Sequence, residues 1–310
     1  MICAGIDVAK KSLEAVIDPG AAHVSVPYTA AGLKRLDAFF GEHGVTRIGF
    51  EASGGYEWML LTHLRRGAIA AARFQPGQVR HFARSRLRRA KNDRLDAAII
   101  AAFTASQAAM PPLPDARFDE LNAELTYLEQ VEDQIARLKT MAETARLAAH
   151  RRLYESDIAR LDKRRAERIA LAVKLLAQDE ALAHRLALLV SIRGVGVRTA
   201  LAFVIRLPEL GSVSREEVAS LVGVAPFDND TGETRRKRHV HGGRMRLRKS
   251  VFMGAFCASK WNLDLKAHYQ RLRAKGKTHL CATIAVARKL AILANTIVAR
   301  GTPWTPAHKS

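Results

Sequence analysis

Residues 115–193 contain neither glycine nor proline, and so long a stretch without either residue constrains the fold more than any other feature of the chain. With no helix breaker present, the backbone is expected to stay helical over most of that length. Apolar residues there recur at Leu121, Leu125, Leu128, Val131, Ile135, Leu138, Ala142 and Ala145. Steps of three and four give a continuous seam of the coiled-coil kind. A second helix is predicted through 158–189. Such a hairpin either joins two protomers or packs on its own domain, and the pattern suits both. Pro111-Pro112-Leu113-Pro114 marks the boundary before it.

The residues ahead of that boundary have a different rhythm. Short apolar runs at 2–7, 13–18, 23–27, 46–51 and 68–74 read as strands, separated by breaks such as Asp18-Pro19-Gly20 and Gly41-Glu42-His43-Gly44. Leu33, Leu36 and Phe39-Phe40 line one side of a helix between the third and fourth strands, and Trp58, Leu60, Leu61 and Leu64 mark another near 56–66. Three strands in meander order, then helix, strand, helix, strand, is the order expected of a ribonuclease-H-like α/β domain. Beyond residue 190 the chain reads as mostly helical, around a basic, glycine-containing loop at 226–244. Ser191-Ile192-Arg193-Gly194-Val195-Gly196-Val197-Arg198-Thr199-Ala200 resembles a helix-hairpin-helix turn, in which exposed N–H groups at a helix start can hold a phosphate. The expected fold class is therefore α/β plus all-α. It divides into an α/β domain over 1–110, a helical coiled-coil segment over 115–190 and a mostly helical domain over 191–310.

Four acids stand out in the first domain. Asp7 ends Ile2-Cys3-Ala4-Gly5-Ile6, Glu51 ends Ile48-Gly49-Phe50, and Asp93 and Asp96 open a helix-like segment three residues apart, on one helix face. Carboxylates on strand ends and a first helical turn are what two divalent ions need when they activate an attacking oxygen and stabilise a leaving one. Magnesium suits all-oxygen ligation beside substrate phosphates. Three of the acids also have a plainer role open to them: Asp93 as a helix cap or dipole partner, Asp96 as an arginine's partner, Glu51 as a cap of the following helix.

The balance of 50 Lys+Arg against 30 Asp+Glu, a formal net charge of +20, predicts a polyanionic partner. The excess is gathered in three clusters. They supply Arg86, Arg88, Arg89 and Lys91, then Arg235, Arg236, Lys237 and Arg238, then Arg244, Arg246 and Arg248 as candidate nucleic-acid contacts. None has the aromatic opposite face of an interfacial helix, and no stretch reads as a membrane span, so a membrane partner is not expected. The acid at position 7 interrupts any secretory signal pattern. Cys3, Cys257 and Cys281 are odd in number and widely spaced, so neither a disulfide framework nor a zinc site is suggested. A reducing, cytoplasmic setting fits. His239 and His241 flank one residue of the basic loop, and a phosphate contact is the expected role there rather than a metal site.

Gly5-Ile6-Asp7-Val8-Ala9-Lys10, Phe50-Glu51-Ala52-Ser53-Gly54-Gly55-Tyr56 and Lys91-Asn92-Asp93-Arg94-Leu95-Asp96-Ala97 resemble the three signature blocks of the DEDD-type insertion-sequence transposases, the IS one-ten family with its related Piv-type DNA invertases. Further blocks resemble the same family. They are Ile192-Arg193-Gly194-Val195-Gly196, Leu221-Val222-Gly223-Val224-Ala225-Pro226, Arg236-Lys237-Arg238-His239-Val240-His241-Gly242-Gly243 and Leu247-Arg248-Lys249.

The resemblance implies a RuvC-like domain holding Asp7, Glu51, Asp93 and Asp96, a coiled coil that assembles a dimer or tetramer, and a C-terminal transposase domain supplying a serine nucleophile. It also implies action on donor and target DNA at the bacterial nucleoid, guided in some members by a structured non-coding RNA, the bridge RNA. The chain departs from the pattern where the serine belongs: Asn229-Asp230-Thr231-Gly232 offers the hydroxyl of Thr231. Threonine has the same attacking atom, with a methyl that restricts χ1 and crowds an in-line approach. The same four residues also have the composition of an ordinary turn. A second departure, Arg193 in place of proline, adds charge and touches none of the proposed chemistry. Two other functions stay open: a metal-dependent, structure-specific endonuclease of the Holliday-junction resolvase kind, and a non-catalytic nucleic-acid-binding relic.

Overall fold

The structure, a computed structural model, describes residues 1–86, 93–227 and 239–306, and at Asp93 the backbone only. The chain forms two compact units, Met1–Asp115 and Ala116–Ser310.

In the first unit β1 (Cys3–Val8), β2 (Ser12–Asp18) and β3 (His23–Pro27) form an antiparallel meander, and β4 (Arg47–Glu51) and β5 (Ala70–Phe74) continue it in parallel. The sheet order is β3-β2-β1-β4-β5. Strand alternation sends Ala4, Ile6, Ile48 and Phe50 to one face. There they meet Leu33, Leu36 and Phe40 of α1 (Ala30–Glu42) and Leu60, Leu61 and Leu64 of α2 (Trp58–Leu64). Thr29 caps α1, its Oγ1 accepting from the Gly32 N–H.

The opposite face carries α3 (Pro76–Ser85) and α4 (Asp93–Ala105), where Val79, Ile99 and Ile100 pack with Ala72 and Phe74. The strand and helix patterns do not announce α3, because Val79 is its only buried residue. What starts it is local: a Gln75/Gln78 capping box with Pro76 in the first turn. On this face α4 lies directly on the sheet. A Cβ added at Gly5 would collide with the Ala97 carbonyl oxygen and the Ala101 N–H, and one at Gly49 with Thr104 Oγ1 and the Phe74 ring.

The second unit is built from α5 (Asp119–Thr144), α6 (Ala148–Leu176), α7 (Glu180–Val190), α8 (Val197–Arg206), α9 (Arg215–Val222), α10 (Met245–Trp261), α11 (Leu263–Ala274) and α12 (His279–Arg300). A two-strand ladder adds β6 (Pro226–Phe227) and β7 (His239–Val240). The helical run holds three helices where two were expected. The first break falls at residues 145–147, where Ala145 and Leu147 take extended backbone (ψ 120° and 128°) with no glycine or proline to mark it. The second is set by Asp179, whose side chain accepts from the Leu182 N–H and caps α7.

The seam residues divide in two. Leu121, Leu125 and Leu128 join the core of the second unit with Leu201, Phe203, Val251 and Leu290, while Val131 and Ile135 pack with Leu161 of α6. Charge fixes the same attachment. Arg198 makes a two-pronged ion pair with Glu132 at 2.9 Å for each prong, and Glu129 takes Arg206 at 3.1 Å and Arg246 at 2.7 Å. Apolar burial and these pairs tie α5 to its own unit.

One helix departs from the membrane expectation. By length and composition α12 could cross a bilayer, with a mean hydropathy of 1.5, but half of that window is buried in the fold. Its Val286, Leu290 and Ala294 are core residues, and a core helix of a soluble domain passes the same composition test.

Replacing Gly5 by alanine forces α4 off the sheet. Unfolding by denaturant is expected to show a loss of at least about 1–3 kcal/mol for Gly5→Ala.

Candidate active site

Asp7 lies one residue from the end of β1 and Glu51 is the last residue of β4. These strands are parallel neighbours whose register pairs Gly5 with Gly49 and Ile6 with Phe50. The next residues along, Asp7 and Glu51, therefore follow at the same level. They share the parity of Gly5 and Gly49, so they belong to the face that α4 covers. Both are half-buried. Asp96, also half-buried, precedes Ala97, the residue whose carbonyl oxygen lies against Gly5. Asp93 opens α4, and its side chain lies outside the described residues. Among the described residues no three His, Cys, Asp or Glu side chains form a group that could hold a metal ion. The fold thus brings Asp7 and Glu51 to adjacent strand ends, as two oxygen-donor groups on rigid elements.

The loop after Glu51 contains a residue that the motifs did not single out. Glu57 is only 3% exposed. Its carboxylate accepts from the Ser53 N–H at 3.1 Å, the Ser53 hydroxyl at 3.0 Å and the Gly55 N–H at 2.8 Å, with Arg73 at 3.4 Å. Tyr28 holds the same loop from the other side. Its hydroxyl donates to the Tyr56 carbonyl at 2.6 Å and accepts from the Leu60 N–H at 2.9 Å. Burial raises the pKa of the Tyr28 hydroxyl, against the Leu60 hydrogen bond, and keeps it a donor. The only sequence signal for Glu57 is an acid just ahead of a helix.

In the second unit, two sequence blocks meet by backbone approach. Gly223 ends α9 in the left-handed region (φ +78°) and Gly243 (φ +65°) lies against it, so closely that a Cβ on either would strike the other strand of the crossing. β6 and β7 pair antiparallel beside this crossing, Pro226 with Val240 and Phe227 with His239. The chain between them includes Thr231, Arg235, Arg236, Lys237 and Arg238, which lie outside the described residues, as do Arg88, Arg89 and Lys91.

The described arginines of the basic clusters are engaged within the chain. Arg86 is exposed and stacks over the Phe82 ring at 4.6 Å. Arg244 binds Glu209 at 2.6 Å and 2.8 Å and donates to the Arg206 carbonyl at 2.6 Å. Arg246 pairs with Glu129, and Arg248 donates to the Gly223 carbonyl at 3.2 Å. Thus Arg244 and Arg248 brace the crossing of Gly223 and Gly243, a role that charge counting does not reveal. At the expected hairpin, Gly194 takes φ +95° against Ala258, and Gly196 precedes α8 with no side-chain cap.

A transposase family model of the DEDD type matches residues 4–154, and a second, described as the transposase family of IS116, IS110 and IS902, matches residues 186–270. The pilin gene-inverting protein of Moraxella bovis is 25% identical over 319 aligned positions, which cover 97% of this chain and 96% of its own. The pilin gene-inverting protein of Moraxella lacunata is 24% identical with the same coverage. An uncharacterized 43.6 kDa protein of insertion element IS110 from Streptomyces coelicolor is 35% identical over 120 residues, and the match spans 37% of this chain and 30% of that protein's length. Matches in both units point to one class, the enzymes that transpose or recombine DNA. The chain belongs to the IS110 family of transposases. Membership implies a DNA substrate and, for the DEDD type, a divalent-metal requirement.

The Arg244–Glu209 brace has a pH signature. Burial works to raise the Glu209 pKa, but hydrogen bonds from Arg244 and the backbone, with the charge of Arg244, outweigh it and hold the carboxyl below its ordinary value of 4.5. A carboxylate depressed in the folded state stabilises above its unfolded pKa and loses that contribution as pH falls through the folded one. Glu209→Gln is expected to unfold more easily than the wild type at neutral pH. The gap should close on acidification below the ordinary carboxylate range, as followed by thermal melts across pH.

Proposed function

We propose that this protein excises, inserts or inverts a DNA segment as a metal-dependent recombinase. In this reading a ribonuclease-H-like domain carries Asp7, Glu51, Asp93 and Asp96, and Thr231 is the attacking hydroxyl. The observation that carries it is the parallel register that sets Asp7 beside Glu51 on neighbouring strand ends. Two carboxylates there fit oxygen ligation of a hard divalent cation, for which magnesium is the natural choice. Bound at the quartet, that cation supplies Lewis-acid stabilisation of charge on the reacting phosphodiester. Asp7 and Glu51 contribute donors fixed by the sheet, and Asp93 and Asp96 contribute donors from the first turn of α4.

Thr231 belongs to the segment that leaves β6 and returns at β7, so both ends of that segment are held by the ladder. Its Oγ1 forms a bond to phosphorus as the bond to the leaving sugar oxygen breaks. The threonine hydroxyl gives up its proton, and the released sugar oxygen takes one. The energy of the phosphodiester is kept in the protein–DNA link, which is what rejoining requires and a hydrolytic cut discards. The full-length match to pilin gene-inverting proteins favours this reading over the nuclease.

Arg86, Arg88, Arg89, Lys91 and the run Arg235, Arg236, Lys237 and Arg238 serve nucleic-acid phosphates, with Arg246, its side chain 54% exposed, in the first turn of α10. Residues 115–190 assemble two or more protomers, a role supported by exposed Met141, Leu147 and Leu153 around the turn from α5 to α6. A structured guide RNA, as in some family members, shares the basic surface, and the enzyme works at the nucleoid of the cytoplasm.

Labelled DNA incubated with the full-length protein and magnesium is expected to yield a protease-sensitive covalent adduct. Thr231→Ala abolishes that adduct and Thr231→Ser retains it. Asp7→Asn lowers its rate at least about a hundredfold, the equivalent of a few kcal/mol of lost charge stabilisation. Free ends released by Thr231→Ala at the wild-type rate, without an adduct, would instead identify a hydrolytic nuclease.

A further inference from the structure

The loop over residues 53–57 is fastened in a way that connecting loops seldom are. A buried carboxylate collects two of its N–H groups and one hydroxyl, and a tyrosine hydroxyl fixes the Tyr56 carbonyl and the N–H of Leu60, the third residue of α2. The Ala52 N–H, next to Glu51, donates to the Phe74 carbonyl and extends the β4–β5 ladder into the loop. Amid these restraints the Tyr56 side chain itself stays out, and the residue is 51% exposed. Tyr56 lies five residues after Glu51, so the chain between them spans no more than roughly 17 Å, the reach of a few nucleotides.

We infer that Tyr56 is a stacking platform for an unpaired base of the DNA strand whose phosphodiester lies at Asp7 and Glu51, with Glu57 as the positioning residue of the loop. The inference rests on the acid site proposed above and extends it from the phosphate to the bases. Acids with a bound cation hold a phosphate but give the strand no fixed direction. A ring held a few nucleotides away does, because every base offers a π-face and stacking tolerates any sequence. Fastening the loop in advance removes the ordering cost that a mobile ring would carry into binding. The partner is nucleic acid rather than protein because the chain carries a formal charge of +20 and its family acts on DNA.

The test uses the full-length protein and a single-stranded DNA oligonucleotide bearing 2-aminopurine, whose fluorescence is quenched when an aromatic ring stacks on it. Wild type and Tyr56→Phe should bind and quench alike. Tyr56→Ala should bind about tenfold more weakly and lose the quench. Tyr28→Phe, which removes only the hydroxyl that fixes the loop, should quench less than wild type although Tyr56 is intact. Unchanged affinity and quench in Tyr56→Ala would overturn the inference, as would a Tyr56→Phe variant as poor as Tyr56→Ala. Asp7→Asn should retain the quench while forming the covalent adduct at least about a hundredfold more slowly, so failure of the acid site and failure of the stacking platform are read separately.

Discussion

The first unit depends on α4 lying against the bare backbone of β1 and β4. At Gly5 and Gly49 there is no side chain to hold helix and sheet at the usual distance, and the space a Cβ would take is filled by Ala97, Ala101 and Thr104. Thr104 fits because its hydroxyl donates to the Ile100 carbonyl at 2.7 Å and so carries no unsatisfied polar atom into the core. Strand alternation then puts Asp7 and Glu51 on that same face, two residues beyond the glycines. The spacing of the acids therefore follows from core packing rather than from a flexible loop. Such a scaffold can hold carboxylates close together against their mutual repulsion.

In the second unit the governing interaction is electrostatic. Glu129 and Glu132 of α5 gather Arg198, Arg206 and Arg246, and Glu209 holds Arg244. Burial lowers the pKa of Arg206, against the opposing pull of Glu129, and the ion pair with Glu129 offsets the cost of burying its charge. Arg198, Arg206 and Arg244 belong to the frame, which changes the meaning of the net charge. Part of the basic excess ties the helical hairpin to the domain, and the part left for phosphates is smaller and more localised than the composition implies.

What the sequence revealed and what it hid divide along physical lines. The five strands were legible to within about two residues because period-two alternation and Gly/Pro turns are local signals. The break before α7, inside the stretch 158–189 read as one helix, was hidden because it is made by the Asp179 side chain capping the Leu182 N–H, with no glycine or proline to mark it. α3 was hidden because an exposed helix carries little apolar periodicity. Glu57 was hidden for a different reason: its partners are N–H groups two and four residues back, and they converge on it only once the loop has closed. Of the acids, Asp7 and Glu51 could be paired from their positions at the ends of apolar runs, whereas which strands are neighbours, and in what register, emerges only from the sheet.

The two halves of the proposed chemistry differ in how tightly each is held. Asp7 and Glu51 ride on strands whose register leaves them little freedom, and Asp96 rides on the helix packed against those strands. The hydroxyl rides on a segment whose two ends are fixed by the β6–β7 pairing and by the Gly223–Gly243 crossing, a contact so close that neither glycine can accept a side chain. That crossing is where the blocks around Gly223 and Gly243 meet, and it holds together the two ends of the segment that includes Thr231. A threonine in place of serine fits this division of labour. A β-branched side chain has fewer χ1 states to lose, so its methyl costs accessibility but reduces the ordering needed before attack.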